Sequence, residues 1–369
     1  MTARGANRLR ALAGALARAL ATPRLESRPQ EPKKILVIHE LLLGDTLMLA
    51  GLLAALRWRY PAAGVFVTTP PAYAALFKGA PYGARMLRYT EREAGALAAL
   101  DEARDCDLAI LPGDNRHAIA ARAIGARWVV GFAGGKPAWR NRAVDEFVDL
   151  AQAPGSLGDL FMRLAQPDGA GLEDLRYRAG DWPAPLFAPY DQPAGDYAVL
   201  HVGAGSVLRL WEPAKWRAIA EFLANSGLEV VWSAGPGEAG LVEAIDPGAR
   251  HRSYAGILDL PQLWHLLSGA KMAVTLDTGI AHMAKLTCTP SVALYGPGSA
   301  QLFGKGRFWR DGPFGEITVD PFGCRDQTHL FKREVHWVRR CNRKPPDCPR
   351  ARCMEAIPAE QVIAALQVK

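Results

Sequence analysis

The sequence predicts an α/β protein made of two doubly wound halves, each with its own parallel sheet. The chain has 369 residues, which is enough for two domains. Short apolar runs alternate with segments of helical spacing, a pattern typical of parallel sheets covered by helices. The segment 177–196 (YRAGDWPAPLFAPYDQPAGD) interrupts this alternation with four prolines, so we interpret it as the linker between the halves.

In the first half, five apolar runs predict five strands. They are KKILVIHE (33–40), GVFVTT (64–69), ARMLRY (84–89), DLAILP (107–112) and ARWVVGF (126–132). The segment TLMLAGLLAALRWRY (46–60) has helical spacing and is followed by Pro61, which ends a helix. We therefore expect a Rossmann-like domain over 33–185, preceded by a basic arm over 1–32.

In the second half, the alternation starts again. The predicted strands are YAVLHVG (197–203), LEVVWSAG (228–235), KMAVT (271–275) and SVALYG (291–296). The predicted helices are Pro213 to Asn225, LPQLWHLLSGA (260–270), about 279–285 and PAEQVIAAL (358–366). These elements predict a second Rossmann-like domain over 190–345 and a cysteine-containing tail with a last helix over 346–369. A cleft between the halves is the default binding site of such a protein.

The charge balance suggests anionic partners, because 44 basic against 37 acidic residues give a net charge of +7. Residues 1–30 contain six arginines and one acid within an Ala/Leu-rich helical pattern. A helix lying on an anionic membrane surface and a solvated arm both explain this composition. The basic stretch 324–353 has only Phe331 and Trp337 as aromatic residues, so nucleic-acid binding is not expected.

Four cysteines form a cluster near the end of the chain. Cys324, Cys341, Cys348 and Cys353 are separated by 16, 6 and 4 residues. This spacing is not the paired C-x2-C of a zinc ribbon. A structural zinc and a disulfide pair both stay open as explanations.

The loop after the first strand of the first half carries Asp45 in LLLGDTLM. Asp45 would serve either as the N-cap of the next helix or as a general base facing the cleft. Neither the G-x-G-x-x-G fingerprint nor the G-x-x-x-x-G-K-[ST] loop occurs, which disfavours a dehydrogenase and an ordinary P-loop enzyme.

Glycine-bearing loops at the strand ends of the second half predict a site for a nucleoside diphosphate. In HVGAGSVLRLW (201–211), Gly205 and Ser206 offer N–H and hydroxyl groups to phosphate oxygens, and Arg209 offers a forked cation. In SAGPGEAG (233–240), Glu238 begins a helix or accepts hydrogen bonds from a ribose.

The block LDTGIAH places Asp277, Thr278 and Gly279 between a strand and a helix. Helix capping explains these three residues, since Asp and Thr are good caps and Gly eases the turn. Capping does not explain His282, one turn further along the helix. We therefore expect this helix N-terminus to contribute to the nucleoside diphosphate site.

The stretches GD, GAGSVLRLW, AGPGE, DTGIAH and LYGP resemble, in this order, the signature stretches of the glycosyltransferase family 9 heptosyltransferases. The resemblance runs from about Ile35 to Gly304. It implies a GT-B fold, with an N-terminal domain that binds the acceptor and a C-terminal domain that binds a nucleotide sugar.

The resemblance also implies an activity. It is the inverting, metal-independent transfer of heptose from ADP-heptose to a lipopolysaccharide core acceptor. The place would be the cytoplasmic face of the inner membrane of a Gram-negative bacterium. The implied partners are the nucleotide sugar, a lipid-linked oligosaccharide acceptor and the anionic membrane surface, and no cofactor is required.

The resemblance assigns roles residue by residue. Asp45 matches the general base, and Glu238 matches a carboxylate near the nucleotide ribose. Asp277 matches a contact to the donor sugar. The remaining matches, which belong to the diphosphate-binding turn, are Thr278, Gly279 and His282.

Two departures from the family pattern change what we expect of the substrates. Arg209-Leu210-Trp211 stands where the family commonly has K-x-W, so a forked cation replaces a point charge. The apolar ELLLGD also replaces a hydroxyl-rich loop, which suggests an acceptor that differs from the usual inner-core sugar. The alternatives are a nucleotide-sugar epimerase of the same two-domain shape, which needs no acceptor, and a non-catalytic nucleotide or nucleic-acid binder.

Overall fold

The computed structural model describes residues 3–21, 24–150 and 154–367, and the chain divides into two compact units. The first unit consists of Met1–Pro154, Gly158–Leu175 and His329–Trp337. The second consists of Gly155–Leu157, Arg176–Thr328 and Val338–Lys369. Residues 329–337, which the sequence analysis assigns to the second half, thus lie in the first unit.

The first unit contains a six-stranded parallel sheet with the order β3-β2-β1-β4-β5-β6. Its strands are β1 (Lys34–Val37), β2 (Gly64–Thr69), β3 (Arg85–Arg88), β4 (Leu108–Leu111), β5 (Trp128–Phe132) and β6 (Glu146–Val148). Its helices are α1 (Ala3–Ala21), α2 (Leu43–Leu47), α3 (Ala50–Arg59), α4 (Ala118–Ala123) and α5 (Leu157–Met162), of which α5 begins at the unit boundary. The five predicted strands are present. The short β6 was not predicted, because three residues are too few to show an alternating pattern.

The helix predicted over 46–60 is two helices. α2 begins at Leu43, and α3 begins at Ala50. At the junction, the N–H of Leu49 donates to the carbonyl of Thr46, three residues back, and this contact tightens the turn. The continuous apolar pattern hid this break, because both helices bury side chains of the same kind.

Helix α1 packs against α4 through one stripe of its surface. Asn7 and Ala11 are buried, and a Cβ at Gly14 would meet the Cβ of Ala123 at 3.1 Å. Asn7 donates to the carbonyl of Glu91 at 3.0 Å. This packing argues against a solvated arm for the described part of the basic N-terminal segment.

The second unit repeats the topology of the first. Its six parallel strands have the order β12-β11-β10-β7-β8-β9. They are β7 (Tyr197–His201), β8 (Glu229–Ser233), β9 (Arg252–Ser253), β10 (Met272–Leu276), β11 (Ser291–Tyr295) and β12 (Phe314–Thr318). The helices are α6 (Pro213–Asn225), α7 (Ala239–Ile245), α8 (Leu260–Ser268), α9 (Gly279–Leu286) and α10 (Ala300–Phe303). In both sheets, therefore, the first and fourth strands are central neighbours.

The tail returns to both units. A small antiparallel pair, β13 (His329–Leu330) and β14 (Arg333–Glu334), belongs to the first unit. The helices α11 (Arg352–Glu355) and α12 (Ala359–Gln367) belong to the second. Val362 and Leu366 of α12 join the core that is built on β7, β8, β10 and β11. The predicted last helix is thus a core element. No helix of the described residues combines the length and apolarity needed to cross a membrane.

Candidate active site

Each sheet has a switch point beside its first strand. The second and third strands lie on one side of the first strand, and the fourth to sixth strands lie on the other. In the first unit the switch point lies between β1 and β4, and in the second between β7 and β10. Loops that leave the carboxyl ends of these strands form a crevice in doubly wound folds, and ligands bind there. The candidate site of each unit therefore lies in the loops that follow these strands.

In the first unit, the loops after β1 and β4 line a cavity of 220 Å³. Its walls are His39, Glu40, Leu41, Leu42, Asp45, Gly113, Asp114, Arg116, His117, Phe331 and Lys332. Asp45, predicted from sequence as a candidate base, thus lies in a cavity at the switch point. The remaining polar side chains come from three places: His39 and Glu40 from the loop after β1, the loop GDNRH (113–117) after β4, and the 329–337 segment.

Asp45 is not the helix cap that the sequence left open as an alternative. Leu42 occupies the N-cap position of α2, and Asp45 lies in the first turn of that helix. The carboxylate still benefits from the positive end of the helix backbone, as an acid in a first turn does. Asp45 is half-buried, so its side chain is accessible from the cavity.

The two cations of the cavity, Arg116 and Lys332, form ion pairs. Arg116 Nη2 lies 3.1 Å from Glu40 Oε2, and Lys332 Nζ lies 2.9 Å from Asp114 Oδ2. Burial acts to raise the pKa of the Asp114 carboxyl, but its bonds from Lys332 and from the backbone N–H of Arg116 hold the pKa below the ordinary value. Asp114 is therefore an anion at neutral pH.

Arg333 explains how a distant segment comes to line this cavity. Its guanidinium is buried and donates to the carbonyl of Gly113 at 3.0 Å and to Asn115 Oδ1 at 2.8 Å. Burial lowers its pKa to about 10, so the side chain is still a cation at neutral pH. Arg333 thus holds Phe331 and Lys332 beside the end of β4.

In the second unit, the structure brings two predicted residues together across the switch point. Arg209 follows β7, Asp277 follows β10, and Arg209 Nη1 donates to the backbone carbonyl of Asp277 at 2.7 Å. Arg209 Nη2 also lies 3.9 Å from Asp277 Oδ2. Within the described residues this is the one hydrogen bond of the Arg209 guanidinium, which leaves other N–H groups of the fork for a ligand.

Asp277 is a buried carboxylate with an unusual environment. Its side chain is 6% exposed, and Oδ2 has no hydrogen-bond partner among residues 3–21, 24–150 and 154–367. Burial raises the pKa of Asp277, against the opposing charges of Arg209 and Lys285. A Cβ at Gly298 would overlap Oδ2, so a glycine is required where the loop after β11 passes this carboxylate.

The residues of the predicted diphosphate turn have separate local roles. Thr278 is the N-cap of α9, and its hydroxyl accepts from the N–H of Ile280 at 3.3 Å. Gly279 is the first residue of that helix. His282 is buried within it, and burial, with the charge of Lys285, lowers its pKa well below the ordinary value. His282 is therefore a neutral ring, whose Nδ1 lies 3.4 Å from Lys285 Nζ.

Lys285 is a buried cation that the sequence analysis missed. It donates to the carbonyl of Phe303 at 2.7 Å and is also bonded to that of Gly304, and the rings of Trp309 and Phe314 lie beside it. Its position in an apolar helical pattern gave no signal, because a lysine at such a position is usually solvated.

Glu238 joins two strand-end loops. Its Oε1 accepts from the N–H of Ala204 at 3.0 Å, and its Oε2 accepts from the N–H of Gly235 at 2.7 Å. A Cβ at Gly203 would collide with this carboxylate, so a glycine at this position makes room for Glu238. A Cβ at Gly205 would meet open space, and Gly205 and Ser206 are exposed. The Ser206 hydroxyl accepts from the N–H of Leu208 at 3.3 Å.

The four clustered cysteines line one pocket of 140 Å³ in the second unit, together with Arg343, Arg352 and other residues of the tail. All four are free thiols, so the structure contains no disulfide between them. Within the described ranges, no three His, Cys, Asp or Glu side chains converge as metal ligands. The arrangement therefore gathers the thiols in one pocket without the geometry of a metal site.

Comparison with known proteins identifies the family. The sequence profile of glycosyltransferase family 9 (heptosyltransferase) matches residues 104–311. Lipopolysaccharide heptosyltransferase 1 of Salmonella typhimurium is 30% identical over 96 residues, which are 26% of this chain and 30% of that protein. The chain thus matches about a third of the length of this curated relative.

Solved structures agree in fold. Escherichia coli ADP-heptose lps heptosyltransferase II has a TM-score of 0.67 and 20% identity, with 91% of this chain and 98% of that chain covered. The iron-containing dodecameric glycosyltransferase TibC from enterotoxigenic E. coli has a TM-score of 0.53 and 14% identity, with 93% of this chain and 77% of that chain covered. These likenesses confirm the GT-B fold predicted from the sequence. With a profile that matches more than half of its length, this chain belongs to glycosyltransferase family 9, the heptosyltransferases.

Proposed function

We propose that the protein transfers a heptose from ADP-heptose to a sugar of a lipopolysaccharide core acceptor, with inversion at the anomeric carbon and without a metal ion. The observation that supports this most is the position of the polar loops at both switch points. Asp45 lines a cavity in the first unit, and Arg209 meets Asp277 in the second.

The chemistry needs a base for the acceptor. An acceptor hydroxyl attacks the anomeric carbon, a new C–O bond forms, and the bond from that carbon to the diphosphate oxygen breaks. Asp45 takes the hydroxyl proton, and the electron pair of the broken bond leaves with ADP. Attack from the face opposite the leaving group inverts the configuration.

The leaving group needs positive charge. Arg209 has a forked guanidinium, 37% exposed, with N–H groups beyond the one bonded to Asp277. The N-terminus of α9 adds oriented backbone N–H groups at Gly279. Together these groups are suited to the diphosphate oxygens that gain charge as the sugar departs. Asp277, buried beside them, is suited to accept a hydroxyl hydrogen bond from the donor sugar.

The test combines a panel of donors with the presence or absence of acceptor. Purified protein is incubated with ADP-heptose, UDP-, GDP- and ADP-linked hexoses, each with and without lipid-A-core acceptor and each with and without EDTA. We expect ADP release that needs ADP-heptose and acceptor, that EDTA does not reduce, and a product of inverted anomeric configuration by NMR. Conversion of the nucleotide sugar without acceptor would point to an epimerase and overturn the proposal.

We propose that the protein works at the cytoplasmic face of the inner membrane of a Gram-negative bacterium and contacts anionic lipid through α1. The stripe of α1 that packs on α4 leaves Leu9 and Leu12 outward, with exposures of 57% and 42%. Arg10 is exposed on the same helix. Apolar side chains next to cations suit the boundary between headgroups and acyl chains.

We propose that the cysteine pocket has a structural role and takes no part in transfer. The pocket gathers four thiols, and TibC, a fold neighbour, is iron-containing. Elemental analysis for zinc and iron, with thiol titration on the same sample, decides what the pocket holds. Six titratable thiols per unfolded chain, those of the pocket with Cys106 and Cys288, and no bound metal would support free cysteines. One metal per chain that is lost in Cys341→Ser would show a metal site.

A further inference from the structure

His39 is a buried side chain that has no role in the proposed reaction as described above. It lies two residues after the end of β1, is 1% exposed and lines the same cavity as Asp45. Its backbone is fixed by Thr68 of β2, whose hydroxyl accepts from the N–H of His39 at 2.7 Å and donates to its carbonyl at 2.9 Å. The ring is therefore held in place at the switch point.

The hydrogen bonds of the ring define its tautomer. Nδ1 accepts from the N–H of Leu41 at 3.2 Å, so Nδ1 carries no proton. Burial lowers the pKa of His39 to about 3, which keeps the ring neutral at physiological pH. A neutral ring that accepts at Nδ1 carries its hydrogen on Nε2.

That Nε2–H group has no hydrogen-bond partner in the described part of the chain. An unpaired buried donor is costly and rare in folded proteins, so it calls for a partner. The cations of the cavity, Arg116 and Lys332, are already paired with Glu40 and Asp114. His39 thus has an uncharged, unpaired donor in the wall of a cavity whose two cations are already in ion pairs.

We propose that His39 Nε2–H binds a neutral hydroxyl oxygen of the acceptor sugar and so holds the acceptor beside Asp45. This inference rests on the proposed function and names the acceptor group that the cavity recognises. The recognised hydroxyl neighbours the attacking one, because a donated hydrogen bond would make the attacking oxygen a poorer nucleophile. An uncharged donor suits a hydroxyl, while a phosphate would favour a cation.

Two variants separate this role from a structural one. In His39→Asn, the amide oxygen replaces Nδ1 and keeps the bond from Leu41, but the donor at Nε2 is lost. In His39→Gln, the longer amide places a donor near Nε2. We expect His39→Asn to raise the acceptor KM about three- to tenfold with kcat and donor Kd unchanged, and His39→Gln to recover most of this loss. If only the bond to Leu41 mattered, Asn would be the better replacement.

His201 offers a matched control. It is also buried at the end of a first strand, but it lies in the second unit, and its Nδ1 lies 3.0 Å from the Ser233 hydroxyl. His201→Asn makes the same chemical change outside the first-unit cavity, so it should leave the acceptor KM unchanged.

Acceptor analogues that each lack one hydroxyl complete the test. The analogue without the recognised hydroxyl should show a raised KM with the wild type and no further rise with His39→Asn. Additive losses for every analogue, or an unchanged KM in His39→Asn, would overturn the role of His39. A wild-type protein that transfers no sugar would instead overturn the proposed function. Imidazole 15N shifts then still test the tautomer, with a proton on Nδ1 contradicting the inference.

Discussion

At the scale of single residues, the site of the second unit is notable for a carboxylate that is kept buried. Asp277 has an oxygen without a hydrogen-bond partner in the described residues, and Arg209 Nη2 lies 3.9 Å from that oxygen. Burial alone favours the protonated acid, and Arg209 favours the anion. Arg209 therefore contacts Asp277 and, in the proposed function, would also contact a diphosphate.

Replacement of Asp45 tests the base directly. Asp45→Asn keeps the size of the side chain and removes its ability to take a proton. We expect kcat to fall by ~10²–10⁴-fold, the usual weight of a general base, with the donor Kd nearly unchanged. The matched control is Asp101→Asn, which changes a surface carboxylate of the same unit beside Arg104. Turnover of Asp45→Asn within a few-fold of the control would exclude the role.

Replacement of Arg209 tests the phosphate site. Arg209→Ala removes the fork and should weaken ADP binding by roughly ten- to a hundredfold, because charge-assisted hydrogen bonds are worth ~1.5–3 kcal/mol. Arg209→Lys keeps the charge but loses the fork, so its affinity for ADP should lie between those of the wild type and Arg209→Ala. Calorimetric titration of ADP into each protein measures the effect. Arg217→Ala, which removes another arginine bonded to backbone carbonyls, serves as the control. Equal affinities for ADP in all variants would contradict a contact between Arg209 and phosphate.

At the scale of elements, the strands were more predictable than the loops. β10 and β11 are buried on both faces, so their sequences are almost continuously apolar and easily recognised. The break between α2 and α3 could not be seen in the sequence, because the apolar pattern continues through the junction at Leu49.

Arg209 and Asp277 were predicted from sequence because both lie in glycine-bearing loops at strand ends, and the structure places them in contact. Their roles in binding stay predictions. Glu40, Asp114 and Arg116 were missed, although the rule of the switch point gave a usable signal. In such folds the loop after the fourth strand, here GDNRH, lies beside the loop after the first strand, at the edge where ligands bind. Lys332 carried no such signal, because it reaches the cavity through tertiary contacts of Arg333.

Helix α1 makes a prediction that concerns its outward face. Leu9→Ser with Leu12→Ser should weaken binding to vesicles of anionic lipid by at least roughly tenfold, because fully burying one leucine is worth about 1.5–3 kcal/mol. Thermal stability should stay unchanged, since both side chains are already exposed. Leu186→Ser, which changes a leucine that is 88% exposed in the second unit, is the control. Undiminished vesicle binding by the double variant would show that α1 is only a packing element.

At the scale of the whole molecule, buried neutral histidines make stability depend on pH. Burial lowers the pKa of His39 to about 3 and of His201 to about 4, whereas the unfolded values lie near 6.5. Below about pH 6.5 the unfolded chain therefore binds protons that the folded chain does not. The stability from these neutral rings is complete above that pH and is lost as the pH falls toward 4.

Denaturant unfolding between pH 7.5 and 4.5 checks this expectation. Each histidine should contribute a slope of about 1.4 kcal/mol per pH unit to the free energy of unfolding, once the pH is below the unfolded pKa. The raised pKa of Asp277 changes the stability in the opposite direction as the pH falls. To isolate the histidines, the slopes of His39→Asn and His201→Asn are therefore compared with the slope of the wild type. Each variant should flatten the slope by about one proton. Parallel curves for all three proteins would mean that the two rings are protonated in the folded state.

The segment 329–337 has a consequence for how proteins of this architecture can exchange parts. It places Phe331 and Lys332 in the wall of the first unit's cavity, although the chain has by then passed through most of the second unit. A hybrid made by joining two relatives at the linker near residue 190 would combine the first-unit cavity of one parent with Phe331 and Lys332 of the other. A recombination that keeps this cavity intact must therefore transfer residues 329–337 together with the N-terminal half, so the chain is less modular than its two sheets suggest.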